Sequence, residues 1–283
     1  MRLALISDIH GNYKALEAFL TYMERHPVDG IICLGDYVTD SPYPQRTMGL
    51  LYEMQKDYTC YMLRGNREDY LLGNADNHQG WKPSSANGVL YYTLQNMHKR
   101  DMDFFASLPT ERGLLLDGVP PLYLCHGTPG KVRGNVIEEK GLREKVMSEL
   151  SYPYLLGGHS HHQEIYRQGG KTYINPGSLG FAIDGIGGHA QFVMLTGSPA
   201  GWEAELLSVP YDLDSFLQDF SESGVDEIGM TLSKCIKKSL ITGINYFYRG
   251  ILAMEEEAKK AGVDSIDEMP EEAWEILVDK LGL

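Results

Sequence analysis

The sequence contains no apolar run approaching the ~20 residues that a membrane-spanning helix needs, so no stretch of it reads as a membrane anchor. Cysteine is scarce. Cys33, Cys60, Cys125 and Cys235 are scattered and form no C-x-x-C, which argues against a disulfide framework and against a thiolate metal site. They read as buried thiols in a reducing cytoplasm. The N-terminal apolar stretch is cut short by Asp8 and does not read as a signal peptide. No internal repeat and no low-complexity segment is present. Basic residues are in deficit, with 25 Lys and Arg against 39 Asp and Glu, a formal charge of -14. No basic stripe offers a docking surface for duplex nucleic acid.

The acidic excess is unevenly placed. Residues 210–283 hold 16 Asp and Glu against 7 Lys and Arg, which reads as a solvated helical surface rather than a ligand site. The 283 residues suffice for one sizeable domain with an appendage. The division expected is 1–209 for the main domain and 210–283 for a helical extension packed on it.

Apolar runs alternate with helical patterns along the first part of the chain. Arg2 to Ser7 reads as a strand. Asn12 is placed to cap a helix reaching about His26, with Leu16, Phe19, Leu20 and Met23 on one face. Val28 to Leu34 and Tyr58 to Arg64 read as further strands, with a helix opened by Pro44 between them, giving two β-α-β units and a parallel sheet. Residues 73–88 read as a long loop and Val89 to Leu108 as one helix. A hairpin is expected from Leu114–Leu116 and Pro121–Cys125, then a helix near 138–150 and strands at Tyr154–Leu156, Ile165–Tyr166, Thr172–Ile174, Ala190–Leu195 and Trp202–Leu207. Helices are expected near 213–222, 226–260 and 271–281.

Polar clusters sit at the ends of these apolar runs. Ile31 to Leu34 ends abruptly in Gly35-Asp36. The others are Asp8-Ile9-His10, Gly65-Asn66-Arg67-Glu68, His126-Gly127 and Gly158-His159-Ser160-His161. Alone, an Asp-x-His is ordinarily a helix cap or surface polarity, and a histidine after a strand is ordinarily a satisfied core residue. Five clusters in order, all where parallel strands deliver their ligands, point to one shared site. Asp8 and His10 are two apart, as are His159 and His161, so on an extended strand end each pair shares a face. With Asp36 shared, Asp8, His10, Asp36, Asn66, His126, His159 and His161 divide into two sites of four ligands each. This mixed N/O set suits two divalent transition-metal ions, Mn²⁺, Fe or Zn²⁺, rather than Ca²⁺. Two such ions with a hydroxide between them leave a net positive charge, which favours an anionic substrate, and they clamp the oxygens of an in-line phosphoryl displacement. A closed structural metal site is the competing assignment, but this set leaves room for water.

The motif series Asp8-x-His10, Gly35-Asp36, Gly65-Asn66, His126 and Gly158-His159-x-His161 resembles that of the calcineurin-like metallophosphoesterases, over about residues 1–209. Asn175-Pro176-Gly177-Ser178 and the stretch from Asp36-Tyr37 to Pro42-Tyr43-Pro44 are similar to the bacterial phosphodiesterase branch. The resemblance implies an α/β fold, a four-layer α/β/β/α sandwich. It implies Asp8, His10, Asp36 and His161 at one metal, and Asp36, Asn66, His126 and His159 at the other.

One position departs from the family pattern of Gly-Asn-His-Asp/Glu. Here Arg67 stands where a histidine contacts the scissile phosphate. A guanidinium matches phosphate oxygens but does not donate a proton, so Arg67 is expected to offset transferring charge while leaving general-acid work undone. That favours leaving groups that depart as anions. The alternative leaves Arg67 in solvent and gives the acid role to His162. Gly65-Asn66-x-Glu68-Asp69 also lacks the histidine in the way of a streptococcal-type subgroup of diadenosine tetraphosphate hydrolases, and the tail around Val209–Asp212 and Ile244–Arg249 is similar to it. Tyr246 and Tyr248 are expected to be packing residues. Arg64, Arg133 and Lys131 are candidates for outer phosphates.

The expectation is therefore a cytoplasmic, dinuclear-metal phosphoesterase. It cleaves a phosphodiester or phosphoanhydride of a phosphorylated small molecule or nucleotide, such as diadenosine tetraphosphate, by attack of a metal-bound hydroxide, with Asn66 and Arg67 on the phosphoryl oxygens. The helical tail covers the site or forms a homodimer surface. A broad phosphodiesterase or a protein phosphatase is the alternative within the class, the latter disfavoured because no Arg-Gly follows Val38. A non-catalytic scaffold that keeps the fold is the alternative outside it.

Overall fold

Asn12 caps the first helix as its position suggested, its side chain accepting the Ala15 N–H at 3.0 Å. Pro44 opens the second, where a missing N–H costs nothing. The computed structural model describes residues 1–135 and 141–283. The N-terminal part runs β1 (Arg2–Ile6), α1 (Tyr13–Arg25), β2 (Gly30–Cys33), α2 (Pro44–Asp57), β3 (Cys60–Met62), α3 (Asn66–Asn74), α4 (Gly88–Asn96) and α5 (Lys99–Ser107). Next come β4 (Glu111–Leu114), β5 (Leu122–Cys125), α6 (Leu142–Glu149), β6 (Tyr154–Leu156), β7 (Gln163–Gln168), β8 (Lys171–Pro176), β9 (His189–Ser198) and β10 (Gly201–Pro210). The chain closes with α7 (Leu213–Glu222), α8 (Val225–Thr242), α9 (Tyr246–Ala261), a 3-10 turn (Ile266–Glu268) and α10 (Glu271–Leu281).

The strands form two five-stranded sheets, ordered β10-β9-β1-β2-β3 and β4-β5-β6-β8-β7. β1, β2 and β3 are parallel in the first, and β5, β6 and β8 are parallel in the second. Side-chain alternation along each strand separates the layers. Leu3 and Leu5 of β1, with Ile32, pack against Leu122, Leu124, Leu156 and Ile174 of the other sheet. Ala4 and Ile6 point the opposite way, onto Leu16, Phe19 and Met23 of α1 and Met48, Leu51 and Met54 of α2. Leu155 and Tyr173 face outward from the second sheet and are covered by Met147 of α6. The result is the four-layer α/β/β/α sandwich. Burial of each such Leu or Phe stabilises it by roughly 1.5–3 kcal/mol.

Several elements differ from the sequence reading. α3 was not expected, because its apolar content is low. The stretch 89–108 is two helices, broken where His98 turns extended and its N–H is taken by Asp101 at 3.0 Å. The stretch 226–260 is also two. Gly243 ends α8 in the left-handed region at φ 65° and Asn245 caps α9 through Tyr248 N–H. The hairpin pairs Glu111 with Cys125 and Leu114 with Leu122, leaving Leu115 and Leu116 outside it. Of the helix expected near 138–150, α6 begins at Leu142 and residues 138–140 lie outside the described residues. No helix among the described residues is long and apolar enough to cross a membrane.

Candidate metal centre

The parallel strands of both sheets point their carboxyl ends the same way. β1 leads into Asp8 and His10, β2 into Asp36, β3 into Asn66, β5 into His126 and β6 into His159 and His161. The backbone there is not extended. Asp8, His10, Asp36, His159 and His161 all lie at positive φ, between 49° and 63°. The two members of each pair therefore do not share a face of an extended strand, contrary to what their two-residue spacing suggests. The pairs converge because left-handed turns aim them, at a cost of roughly 1–2 kcal/mol per residue. The loops hold each other in these turns. Asp8 N–H donates to Gly35 O at 3.0 Å, His10 N–H to Asp36 O at 2.9 Å, and His159 N–H to Asp8 Oδ2 at 3.0 Å.

Two clusters of ligand atoms result. Asp8, His10 and His161 offer atoms within 4.8 Å of one another, and so do Asp36, His126 and His159. His161 Nε2 is 3.2 Å from Asp8 Oδ1 and 3.1 Å from His10 Nε2. His126 Nε2 is 3.4 Å from Asp36 Oδ2 and 3.1 Å from Asn66 Oδ1. Asp36 Oδ2 also lies 3.8 Å from His10 Nε2, so this carboxylate faces both clusters.

The imidazoles are set to present Nε2. His10 Nδ1 is 3.1 Å from Asp40 Oδ2, His126 Nδ1 2.9 Å from Leu34 O, and His161 Nδ1 2.7 Å from Phe181 O. Each acceptor fixes the proton on Nδ1 and leaves the Nε2 lone pair turned inward. Asp8 Oδ1 is buried among these nitrogens with no hydrogen-bond partner. An orphaned carboxylate oxygen facing several lone pairs is the donor set a divalent cation completes, so the residues fit a metal pair.

The sequence profile of the calcineurin-like phosphoesterase superfamily domain matches residues 1–197. The chain belongs to that superfamily. It is a metal-dependent hydrolase of this class. The uncharacterized protein MJ0912 of Methanocaldococcus jannaschii is 27% identical over 227 residues, covering 75% of this chain and 88% of its own length. In fold the chain is similar to a metallophosphoesterase from Sphaerobacter thermophilus, with a TM-score of 0.67 at 23% identity over 86% of this chain and 100% of that one. It is likewise similar to hypothetical protein PH1004 from Pyrococcus horikoshii, with a TM-score of 0.72 at 19% identity over 86% of this chain and 98% of that one.

Burial and charge act against each other in this metallophosphoesterase centre. Burial alone would lower His10, but the carboxylates of Asp40 and Asp8 lift it to about 9. Asp36 and Asp8 likewise lift His126, against burial, to about 10. Burial would raise the Asp8 carboxyl, yet His161 and His126 hold it well below its ordinary value. His159 goes the other way, pushed down to about 4 by burial and by His126, which keeps its ring neutral. Divalent ions held by these groups would compete with protons for the same nitrogens and carboxylate oxygens.

Two carboxylates that sequence reasoning did not use hold the centre together. Asp40 is buried, and its Oδ2 receives both His10 Nδ1 and Arg67 Nη2, the latter at 2.8 Å. Its position four residues past Asp36 carried no signal. Glu68 is fully buried and accepts N–H groups from Gly65, Asp36 and Tyr37, each at 2.8 Å. It clamps the β2–α2 loop onto the start of α3, where Arg67 N–H donates to Asp36 Oδ1 at 2.8 Å. Gly65 admits no side chain there, since a Cβ would lie 2.1 Å from Asp36 Oδ1.

Above the centre opens a cleft of about 800 Å³. Arg67 lines it, with its guanidinium 5.8 Å from the Tyr70 ring and 5.3 Å from the Phe247 ring. Arg133 lines it too, 4.4 Å over Tyr70. Arg64 does not: its Nε is bound to Asp69 at 2.8 Å and its Nη1 faces the carbonyls of Ala106 and Leu108. These partners hold the Arg64 guanidinium outside the cleft lining, so it is not placed for the phosphate contact expected of it. Lys131 and His162 are also outside the cleft lining.

Proposed function

We propose that this chain hydrolyses a phosphodiester or phosphoanhydride bond, with a nucleotide such as diadenosine tetraphosphate as substrate. Asp8, His10 and His161 would hold one divalent transition-metal ion, and Asn66, His126 and His159 the other, with Asp36 shared. When bound, such a pair supplies an activated water and offsets phosphoryl charge. The observation that carries the reading is Arg67. Asp40 fixes its guanidinium at 2.8 Å, and it lines the cleft beside both ligand clusters.

There the guanidinium orients phosphoryl oxygens and offsets charge that develops on them, with no reorganisation needed. Being permanently protonated, it hands no proton to the departing oxygen. Substrates whose leaving group is already a stable anion, a phosphate or nucleotide, are therefore favoured over alkyl esters. Asn66 positions a phosphoryl oxygen beside its own ligand role, and Arg133 reaches phosphates further along the chain of the substrate. In this reading residues 1–209 carry the chemistry and 210–283 wall the cleft. The four thiols, none in a disulfide, suit a cytoplasmic location.

The test is a substrate panel with manganese-loaded protein: diadenosine tetraphosphate, an aryl phosphodiester and an alkyl phosphate monoester, with Asp36→Asn as control. Anhydride cleavage with the monoester untouched is expected. Efficient hydrolysis of the alkyl monoester would overturn the role given to Arg67. No turnover across the panel, in protein holding two ions, would overturn the substrate class.

A further inference from the structure

The cleft is much larger than a single phosphate group, and its charge is confined to one part. The cations Arg67 and Arg133 stand beside the metal centre and α3. The walls furnished by residues 81–90 and 245–267 carry Trp81, Phe247, Tyr248 and Ile251, and a single charged side chain, Asp267. A second phosphate would meet a carboxylate there and no cation. A flat uncharged ring would meet aromatic side chains.

These two walls are built as one unit by the C-terminal extension. Ser85 donates its N–H and its hydroxyl to the Glu271 carboxylate of α10, at 2.8 and 2.7 Å, and its Oγ accepts Thr231 N–H at 3.0 Å. That last bond needs the kink in α8 at Met230, which sits at φ 47° and ψ -121°. Gly88 opens α4 so close to α8 that a Cβ would be 1.8 Å from Ile228 O. On α9, Gly250, Met254 and Ala258 are buried toward the neighbouring helices, while Phe247, Tyr248 and Ile251 are turned to the cleft. Tyr248 is 49% exposed. An aromatic ring left so open on a packed helix, beside a cleft, is placed for contact rather than for core packing.

We infer that the walls around Trp81 and Tyr248 form a subsite for the uncharged planar ring of a phosphorylated substrate, the base of a nucleotide. The inference rests on the hydrolase reading above and adds which residues choose the substrate. Stacking a base on an aromatic side chain changes affinity by roughly 5- to 150-fold when alanine replaces the ring.

The test titrates adenosine 5′-monophosphate and ribose 5-phosphate, which share the phosphate and sugar but not the base, into manganese-loaded full-length protein by calorimetry. AMP is expected to bind at least about 5-fold more tightly. Tyr248→Ala and Trp81→Ala are expected to erase most of that preference while leaving ribose 5-phosphate binding in place. Tyr248 is solvent-facing, so its removal spares the fold, and circular dichroism checks this. Equal binding of the two ligands, no binding of AMP, or variants that weaken both ligands alike would each overturn the subsite. The hydrolysis panel separates this from the reading it rests on. Turnover without base preference keeps the metal centre and loses the subsite, whereas base preference without turnover does the reverse.

Discussion

Asp40→Asn probes the link between the metal centre and Arg67. The Asp40 carboxylate is buried, and one oxygen serves both His10 Nδ1, at 3.1 Å, and Arg67 Nη2, at 2.8 Å. Asparagine keeps the shape, removes the charge and leaves one weaker acceptor for two donors. Loss of the partner that orients a ligating imidazole ordinarily costs roughly 10- to 100-fold in metal affinity or activity. Breaking a fully buried ion pair from one side costs about 3–5 kcal/mol. The Arg67 side chain keeps 17% of its surface exposed, so water takes part of that load. About 2 kcal/mol is then expected, a fall in Tm of about 3–4 °C at this size. The assay is manganese affinity by chelator competition, with Tm from calorimetry and kcat/KM on the best substrate of the panel. Arg67→Gln runs alongside. It should lower turnover yet leave manganese affinity within about threefold, because it leaves the Asp40–His10 contact intact. Asp40→Asn protein that binds manganese and turns over within about twofold of wild type would refute the reasoning that Asp40 orients His10.

Three further outcomes are expected. Manganese at about one hundred times its Kd should stabilise the protein by about 2.7 kcal/mol, and Asp36→Asn should remove most of that shift in a thermal melt. Gly88→Ala places a Cβ 1.8 Å from Ile228 O and must push α4 off α8, so it should cost roughly 1–3 kcal/mol by urea titration; an unchanged midpoint would contradict that packing. Burial pushes Cys60 up to about 11 and Cys235 up to about 12, and Cys33 and Cys125 upward as well. At pH 8 about one Cys60 in a thousand is then thiolate, so a thiol reagent should label the native protein slowly and the urea-unfolded protein fully.

The superfamily was legible because its chemistry sits at strand ends. An apolar run that stops at Asp36 or His126 marks a buried strand and a candidate ligand together, and five such endings in order carry the superfamily's motif series. The parallel order of β1, β2 and β3 followed from the helices between them. The break at Gly243 and Asn245 is also written in the chain, as a left-handed stop followed by a cap, but the apolar pattern runs on across it and masks it. α3 gave no such pattern, since it is held by Glu68 and by the Asp36 loop rather than by an apolar face.

The residue types and their order determined the candidate ligand set and the first parallel sheet, because ligand identity and strand patterning are local properties; the second sheet followed only from the resemblance that the motif series carries. Tertiary structure alone decided the rest. Asp8, His10, Asp36, His159 and His161 converge through left-handed turns that only the contacts between neighbouring loops sustain. Asp40 gains its role from His10 and Arg67, thirty and twenty-seven positions away in the chain. Arg64 and Arg67 look alike in sequence, three residues apart. One is tied to Asp69 and the carbonyls of Ala106 and Leu108, and the other to Asp40 at the cleft, because Arg64 lies on the connection leaving β3 whereas Arg67 sits in the first turn of α3. One side of the cleft is walled by α9 and residues 81–90, which α8 and α10 hold together, a long-range packing that no local pattern encodes.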